Sequence, residues 1–200
     1  MPKPSTAGRS AAPHQVRIIG GQWRRTLLPV ADRPGLRPTP DRVRETLFNW
    51  LGQDLHGWRC IDAFAGSGAL GLEAASRGAA EVLLVEQDAA LARQLQALKE
   101  RLQAHTVTVR RGDGVSALAA CPPGSLDLVL LDPPFDAQAL FAPALVAAAR
   151  ALRQDGFVYL EAPAAWDAAA LAEVGLALHR HLKAGAVHAH LLVPLRAACA

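Results

Sequence analysis

Asp62-Ala63-Phe64-Ala65-Gly66-Ser67-Gly68-Ala69-Leu70-Gly71 follows a short apolar stretch, Trp58 to Ile61, and opens an Ala/Leu-rich segment, Leu70 to Ser76. A glycine-rich turn in that setting joins a strand to a helix. Its glycines supply the positive φ of a tight turn and let a ligand approach the backbone. A second apolar run, Val82 to Val85, ends in Glu86, twenty residues beyond Gly66. A carboxylate at that distance accepts hydrogen bonds from both hydroxyls of a ribose. These residues describe half of a nucleoside-binding α/β sheet.

They leave the cofactor open. Gly66-Ser67-Gly68-Ala69-Leu70-Gly71 also satisfies G-x-G-x-x-G, with Glu86 where an NAD-binding carboxylate stands. Three features favour S-adenosyl-L-methionine. Asp62, four residues before Gly66, suits the cationic methionine end better than a pyrophosphate. A further apolar strand, Val107 to Val109, leads to Gly112-Asp113-Gly114 and brings another acid near an adenine. The third is Asp132-Pro133-Pro134-Phe135, which closes the apolar run Leu126 to Leu131 on the same edge of the sheet. A hydride-transfer enzyme has no evident use for that corner.

Such a corner is suited to a flat, amino-bearing base. The Asp132 carboxylate and a neighbouring backbone carbonyl accept both hydrogens of an exocyclic NH2. Two prolines stiffen the turn, and Phe135 offers a stacking face. Acceptors aimed at those hydrogens favour the pyramidal nitrogen that attacks, a stabilisation specific to the transition state. Asp and Pro are also ordinary turn formers, so the corner gains its meaning from the glycine loop.

Outward from these motifs the chain alternates strands and helices, which implies parallel βαβ units. Strands are expected near 58–63, 81–86, 106–110, 126–131 and 156–161, and helices near 68–77, 88–104, 113–120 and 136–153. Leu176 to Leu182 and Val187 to Leu195 flank Gly185 as a closing antiparallel hairpin. The fold class is α/β: a Rossmann-like seven-stranded sheet of the S-adenosylmethionine-dependent methyltransferase kind, with an N-terminal β-hairpin and helix extension. In that extension, Val16 to Ile19 and Trp23 to Val30 flank Gly20-Gly21 as a β-hairpin. Thr39 is the expected N-cap, with Pro40 at the first position, of a helix to Leu51. Val43, Leu47, Phe48 and Leu51 share its apolar face, and Arg42, Arg44 and Glu45 lie elsewhere. Residues 1–15 read as a disordered tail, 16–55 as a basic N-terminal hairpin and helix extension, and 56–200 as the methyltransferase domain.

Charge is uneven. Residues 1–60 carry ten Lys/Arg against four Asp/Glu, while residues 61–200 carry eleven against fourteen, within a net charge of +3. A basic extension ahead of a cofactor domain suits a polyanionic substrate, although a solvated basic face without a partner has the same composition. Three cysteines, Cys60, Cys121 and Cys199, form no CxxC pair and suggest reduced thiols in the cytoplasm. No apolar leader precedes residue 15 and no apolar run is long enough to span a bilayer. His179, His181, His188 and His190 alternate at strand spacing; without a neighbouring Cys or carboxylate cluster they read as solvent-facing, and no metal site is expected.

Val16 to Arg24 (VRIIGGQWR), Leu36 to Leu51 (LRPTPDRVRETLFNWL), Asp62 to Gly71 (DAFAGSGALG) and Asp132 to Phe135 (DPPF) resemble the bacterial 16S ribosomal RNA guanine-N2 methyltransferases that modify guanine 966. The likeness runs from about residue 16 to the C-terminus. The last two motifs mark only the methyltransferase class, and the first two are more discriminating. The resemblance implies methyl transfer from S-adenosyl-L-methionine to the N2 of one guanine of 16S rRNA, in the small ribosomal subunit or its assembly intermediate, by a monomer that binds no membrane. Carried over, Asp62, Phe64, Gly66 and Gly68 would line the methionine end, Glu86 the ribose and Asp113 the adenine. Asp132 and Pro133 would grip the guanine amine, with Pro134 and Phe135 completing the catalytic corner. The segment from Thr39 to Asn49 would cover the cofactor, and Arg17, Arg24, Arg25, Arg37 and Arg42 would bind RNA. Gln96-Ala97-Leu98 departs from relatives, which often show an Asn there. Competing classes are an adenine-N6 or cytosine-N4 DNA methyltransferase, an NAD-dependent oxidoreductase and a non-catalytic RNA-binding module.

Overall fold

The computed structural model describes residues 15–30 and 39–195. Its order is β1 (Gln15–Arg17), β2 (Leu27–Pro29), α1 (Asp41–Trp50), β3 (Arg59–Asp62), α2 (Ala69–Ser76), β4 (Glu81–Glu86), α3 (Ala89–Arg101), β5 (Val107–Arg111), α4 (Gly114–Ala119), β6 (Leu126–Leu131), α5 (Phe141–Ala151), β7 (Leu152–Ala162), α6 (Ala168–Glu173), β8 (Leu176–Ala184) and β9 (Val187–Pro194). The expected tail, apart from residue 15, and Arg37 lie outside the described residues.

Seven strands form one sheet in the order β5-β4-β3-β6-β7-β9-β8. The first five run parallel and the β8–β9 hairpin adds antiparallel to β7. The sheet is Rossmann-like, as expected. Strand side chains alternate between two cores. Cys60, Leu84, Leu128, Leu130 and Tyr159 face the layer that holds Phe48, Leu72 and Leu95 of α1, α2 and α3. Ile61, Val85, Val129, Leu131 and Leu160 face Leu118, Leu145 and Leu171 of α4, α5 and α6. Strands covered on both faces read as unbroken apolar runs, which is why β4 and β6 are so plain in the sequence.

Helix α2 shows how the glycine loop is seated. A Cβ at Gly71 would come within 2.2 Å of Leu84 Cδ2 and 3.1 Å of Asp62 Cβ, so glycine lets this turn of helix press on β3 and β4 without displacing Leu84.

Several elements depart from expectation. The N-terminal hairpin reverses over Gly20–Arg25, so Trp23 to Arg25 form turn rather than strand. The reason is docking. Ser76 Oγ donates to the Gly20 carbonyl at 2.6 Å, while the Gln22 and Trp23 amides donate to Ser76 O (2.8 Å) and Oγ (2.9 Å). Gly21 has φ +73° and an added Cβ would lie 1.8 Å from Ser76 O. Helix α5 begins only at Phe141, after a single 3-10 turn (Gln138–Leu140), because the Asp-Pro-Pro-Phe corner occupies the preceding residues. Pro143 then falls in the first turn, where its missing N–H has no intrahelical partner to lose. Helix α5 stops at Ala151 and β7 starts at once. Helix α6, capped by Asp167 accepting from the Ala170 amide at 2.8 Å, carries no strong sequence signal.

The histidine expectation needs one correction. His179 and His181 are exposed, but His190 is fully buried. The segment at Trp166 packs over its ring, whereas His188, two residues earlier on the same strand face, stays half-exposed. His190 Nδ1 donates to the Leu160 carbonyl (3.3 Å) and Nε2 accepts from the Trp166 amide (3.2 Å). Burial lowers its pKa to about 4, keeping it neutral. Among the described residues no group of His, Cys, Asp and Glu is arranged to hold a metal.

Candidate active site

Four parallel strands end in carboxylates on one edge. Asp62 closes β3, Glu86 closes β4, Asp132 follows β6 and Glu161 lies at the end of β7. Parallel register aligns them: Asp62 pairs with Leu84 and Leu130, and Leu131 pairs with Leu160, so Asp132 stands abreast of Glu161. All four line one cleft of about 980 Å³, together with Thr39, Phe64, Gly66, Asp113 and the corner from Pro133 to Phe135. Ligands of open α/β sheets bind at this carboxyl edge.

Asp62 is 1% exposed. Its Oδ2 accepts from the Gly71 amide at 3.0 Å, but Oδ1 is buried without a hydrogen-bond partner, the sole side-chain atom so placed among the described residues. Burial lifts its pKa to about 7, against the pull of the Gly71 and Phe64 amides, and Glu86 and Glu161 push the same way. An orphaned acid of this kind asks for a cationic or donor partner.

Glu86 is differently held: Oε2 accepts from the Gly66 amide and Oε1 from the Asp88 amide, both at 2.8 Å. These bonds fix the carboxylate at the cleft wall and leave each oxygen a second lone pair. Asp113 is exposed and caps α4, its Oδ2 accepting from the Ser116 amide at 2.7 Å. The hydrogen bonds from Ser116 hold its carboxyl below the usual range.

Asp132 is raised well above an ordinary carboxyl by desolvation, then by Glu161 and Asp62, with Thr39 hydrogen bonding in opposition. Pro133 is buried, Pro134 exposed and Phe135 half-buried against the core beneath the corner.

Thr39 does not cap α1. Pro40 occupies the N-cap position without a side-chain bond, and the Thr39 hydroxyl instead donates to Glu161 Oε1 at 2.6 Å. Tyr159, fully buried, donates to the same oxygen at 2.8 Å. Glu161 is 2% exposed, and desolvation raises its pKa. Sequence reading missed Glu161 and Tyr159. The available signal was positional: Phe157 to Leu160 is another apolar run closed by an acid, like those before Asp62, Glu86 and Asp132.

Arg44, expected away from the apolar face of α1, is fully buried. It donates to the carbonyls of Thr39 (3.3 Å) and Arg17 (2.8 Å), to Asp41 (2.6 Å) and to Glu73 (3.3 Å). Glu73 also accepts from the Ile19 and Gly20 amides, both at 2.7 Å, and from Arg77 at 2.9 Å. This buried hub ties the hairpin, α1 and α2 together and fixes where Thr39 enters the cleft.

Arg17, Arg24, Arg25 and Arg42 are on the surface. Arg17, Arg24 and Arg25 line a groove of about 230 Å³ with Asp41 and Glu45, and Arg17 pairs with Asp41 at 3.0 Å. Arg42 is exposed on α1 and does not line that groove. Structure therefore gathers Asp62, Phe64, Gly66, Glu86, Asp113, Thr39 and the Asp132 corner into one cleft, and separates them from the arginine groove. Gly68 is the N-cap of α2, behind the loop, rather than a lining residue.

Residues 16–193 match the model of the family described as conserved hypothetical protein 95. The chain belongs to this family. A curated relative of this chain, ribosomal RNA small subunit methyltransferase D of Escherichia coli K12, is 50% identical over 135 residues; these are 68% of this chain and 66% of the relative, just under two thirds of its length. The solved structure of Escherichia coli yhhF, which carries a provisional methyltransferase designation, is 38% identical with a TM-score of 0.76, covering 90% of this chain and 98% of that one. The Haemophilus influenzae protein HI0767, provisionally designated a methylase, is 32% identical with a TM-score of 0.74, covering 92% and 100%. The seven-stranded sheet of this chain is thus the fold of these two solved structures. Among the described residues no helix is long and apolar enough to cross a membrane.

Proposed function

We propose that the protein is an S-adenosyl-L-methionine-dependent methyltransferase that modifies the exocyclic N2 of one guanine in 16S rRNA. The observation that carries this reading is the orphaned Asp62 carboxyl in the same cleft as the Asp132-Pro133-Pro134-Phe135 corner. The names of the curated relatives supply the substrate class.

The residues present fit the cofactor. Asp62 Oδ1 would meet its ammonium group, Glu86 its ribose and the cleft beside Asp113 its adenine, while Phe64 and Gly66 pack alongside. Bound there, it supplies an activated methyl group. The chain's own work is orientation. Asp132 and the Pro133 carbonyl hold the two amine hydrogens, Phe135 stacks on the base, and Thr39 closes the cleft from the α1 side. Positioning of this kind is worth up to about 7–11 kcal/mol in favourable cases. Asp132, desolvated and of raised pKa, receives the amine proton as the new N–C bond forms and passes it to water.

A base enters such a cleft only unpaired, so an exposed loop nucleotide of the small subunit is the expected target. Arg17, Arg24, Arg25, Arg37 and Arg42 contact its phosphates. On this reading the enzyme acts as a monomer in the cytoplasm, where its substrate is made.

The test is incubation with isotopically labelled S-adenosylmethionine and unmodified small subunits, followed by nuclease digestion and mass spectrometry. Label as N2-methylguanosine at a single position is the expected result. Label on another base, or no transfer despite cofactor binding, overturns the substrate assignment.

A further inference from the structure

We propose that Glu161 selects guanine, its carboxylate accepting the N1–H of the target base while the Asp132 corner holds the neighbouring amine. This rests on the methyltransferase reading and adds to it the residue that chooses the base.

The corner alone cannot choose. Adenine, cytosine and guanine all present a flat exocyclic amine to two acceptors. They differ at the adjacent ring nitrogen. Beside the amine, adenine and cytosine carry a lone pair, whereas guanine N1 carries a hydrogen. A second carboxylate next to Asp132 therefore attracts guanine and repels the other two.

Glu161 is placed for that task. Leu131 and Leu160 are register partners, so Asp132 and Glu161 leave adjacent strands side by side. Neighbouring strands lie about 4.8 Å apart, the scale of one base edge. Both residues line the cleft. The Thr39 and Tyr159 hydroxyls converge on Oε1 at 2.6 and 2.8 Å, and Oε2 makes no hydrogen bond to a described residue. A side chain that is 2% exposed and doubly anchored has little rotamer freedom to lose on binding. After desolvation, Glu161 adds to the cost of ionising Asp132, a cost that the N1–H and amine donors of guanine relieve together.

Small subunits reconstituted with guanine or 2-aminopurine at the target position test this. 2-Aminopurine keeps the N2 amine but replaces N1–H by a lone pair. Two readouts are taken for the wild type and Glu161→Gln: single-turnover methylation, and equilibrium affinity for the particles with S-adenosylhomocysteine bound, where no chemistry occurs. A site built to bond a donor rejects an analogue that lacks it by large factors. The wild type is expected to favour guanine at least about 100-fold in turnover, and Glu161→Gln, whose amide donates to the lone pair, to bring that preference below about tenfold, with the affinities moving the same way. Equal slowing on both bases, with the preference intact, would make Glu161 only a support for Thr39 and overturn the proposal. A wild type that methylates both alike would overturn it while leaving the methyltransferase reading standing. A wild type that methylates neither would refute that reading first. Should Glu161→Gln fail to fold, Glu161→Asp keeps the charge but shortens the reach, and must slow guanine at least about tenfold more than 2-aminopurine.

Discussion

Replacing Asp62 by Asn should uncouple cofactor binding from protonation. In the ligand-free cleft the Asp62 carboxyl titrates at about 7 because it is buried. At pH 6 it is therefore roughly nine-tenths protonated, and it must ionise to receive an ammonium group. Each cofactor bound at pH 6 should release about 0.9 proton, and affinity should rise about fifty-fold between pH 5 and pH 7. Calorimetric titrations in buffers of different ionisation enthalpy measure that release. In Asp62→Asn the release should fall close to zero and the affinity should become weak and nearly flat with pH. Glu161 and Asp132 also have raised pKa values, and the Asn variant separates their contribution from that of Asp62. Ligand-free stability carries the same signature. A carboxyl that titrates near 3.8 unfolded and near 7 folded binds more protons in the folded state. Its contribution is fully present below pH 3.8 and is lost as pH rises to 7, a difference of about 4 kcal/mol. Thermal melts of the ligand-free protein at pH 8 should accordingly place Asp62→Asn above the wild type. Equal proton release by both proteins, or wild-type affinity that ignores pH, would refute the placement of the ammonium group at Asp62.

Asp132→Ala should cut methyl transfer by at least about 100-fold, the usual scale for a positioned proton acceptor, with cofactor affinity nearly unchanged; unchanged turnover would remove Asp132 from the chemistry. Gly21→Ala puts a Cβ 1.8 Å from Ser76 O at a residue of φ +73°, so the hairpin should undock, lowering stability by about 2–4 kcal/mol in denaturant unfolding. A wild-type midpoint in that variant would show that the Ser76 contacts are dispensable. Charge reversal at Arg24 and Arg25 should weaken RNA binding and shallow its logarithmic salt dependence by about 1–2; identical affinity at low salt would move the RNA contact off this groove.

The sheet was legible because its central strands are buried on both faces and therefore spell themselves as apolar runs, each closed by an acid or a turn. Asp62, Glu86 and Asp132 came with local motifs and could be placed by them. What could not be read depends on partners distant in sequence. Arg44 looks like one more arginine in a basic extension until Glu73 is seen beneath it, twenty-nine residues away. Thr39 before Pro40 has every local mark of a helix cap, yet its hydroxyl is taken by Glu161, one hundred and twenty-two residues on. His190 alternates like a surface strand residue, but the Trp166 segment, twenty-four residues away, packs over its ring. Glu161 followed the same pattern as the other strand-end acids; with Ala-Pro behind it in place of glycines or a proline pair, nothing marked it as more than a strand terminus.

The four strand-end acids also bear on which cofactor fits. Glu161 raises the cost of ionising both Asp62 and Asp132, and Asp62 raises that of Asp132; such crowding is tolerable only when the cleft's occupants are donors or cations. A pyrophosphate would bring two further negative charges against Asp62 and Glu86, and no arginine or lysine is among the described residues that line the cleft. An ammonium group, a ribose diol, an exocyclic amine and a ring N–H all present hydrogens. The glycine loop, compatible with either cofactor when read alone, therefore takes its meaning from the charges around it. The same pattern of acceptors that suits a cationic cofactor at Asp62 suits the donor edge of guanine at Asp132 and Glu161, so that on the proposed function cofactor choice and base choice would follow from one arrangement of carboxylates.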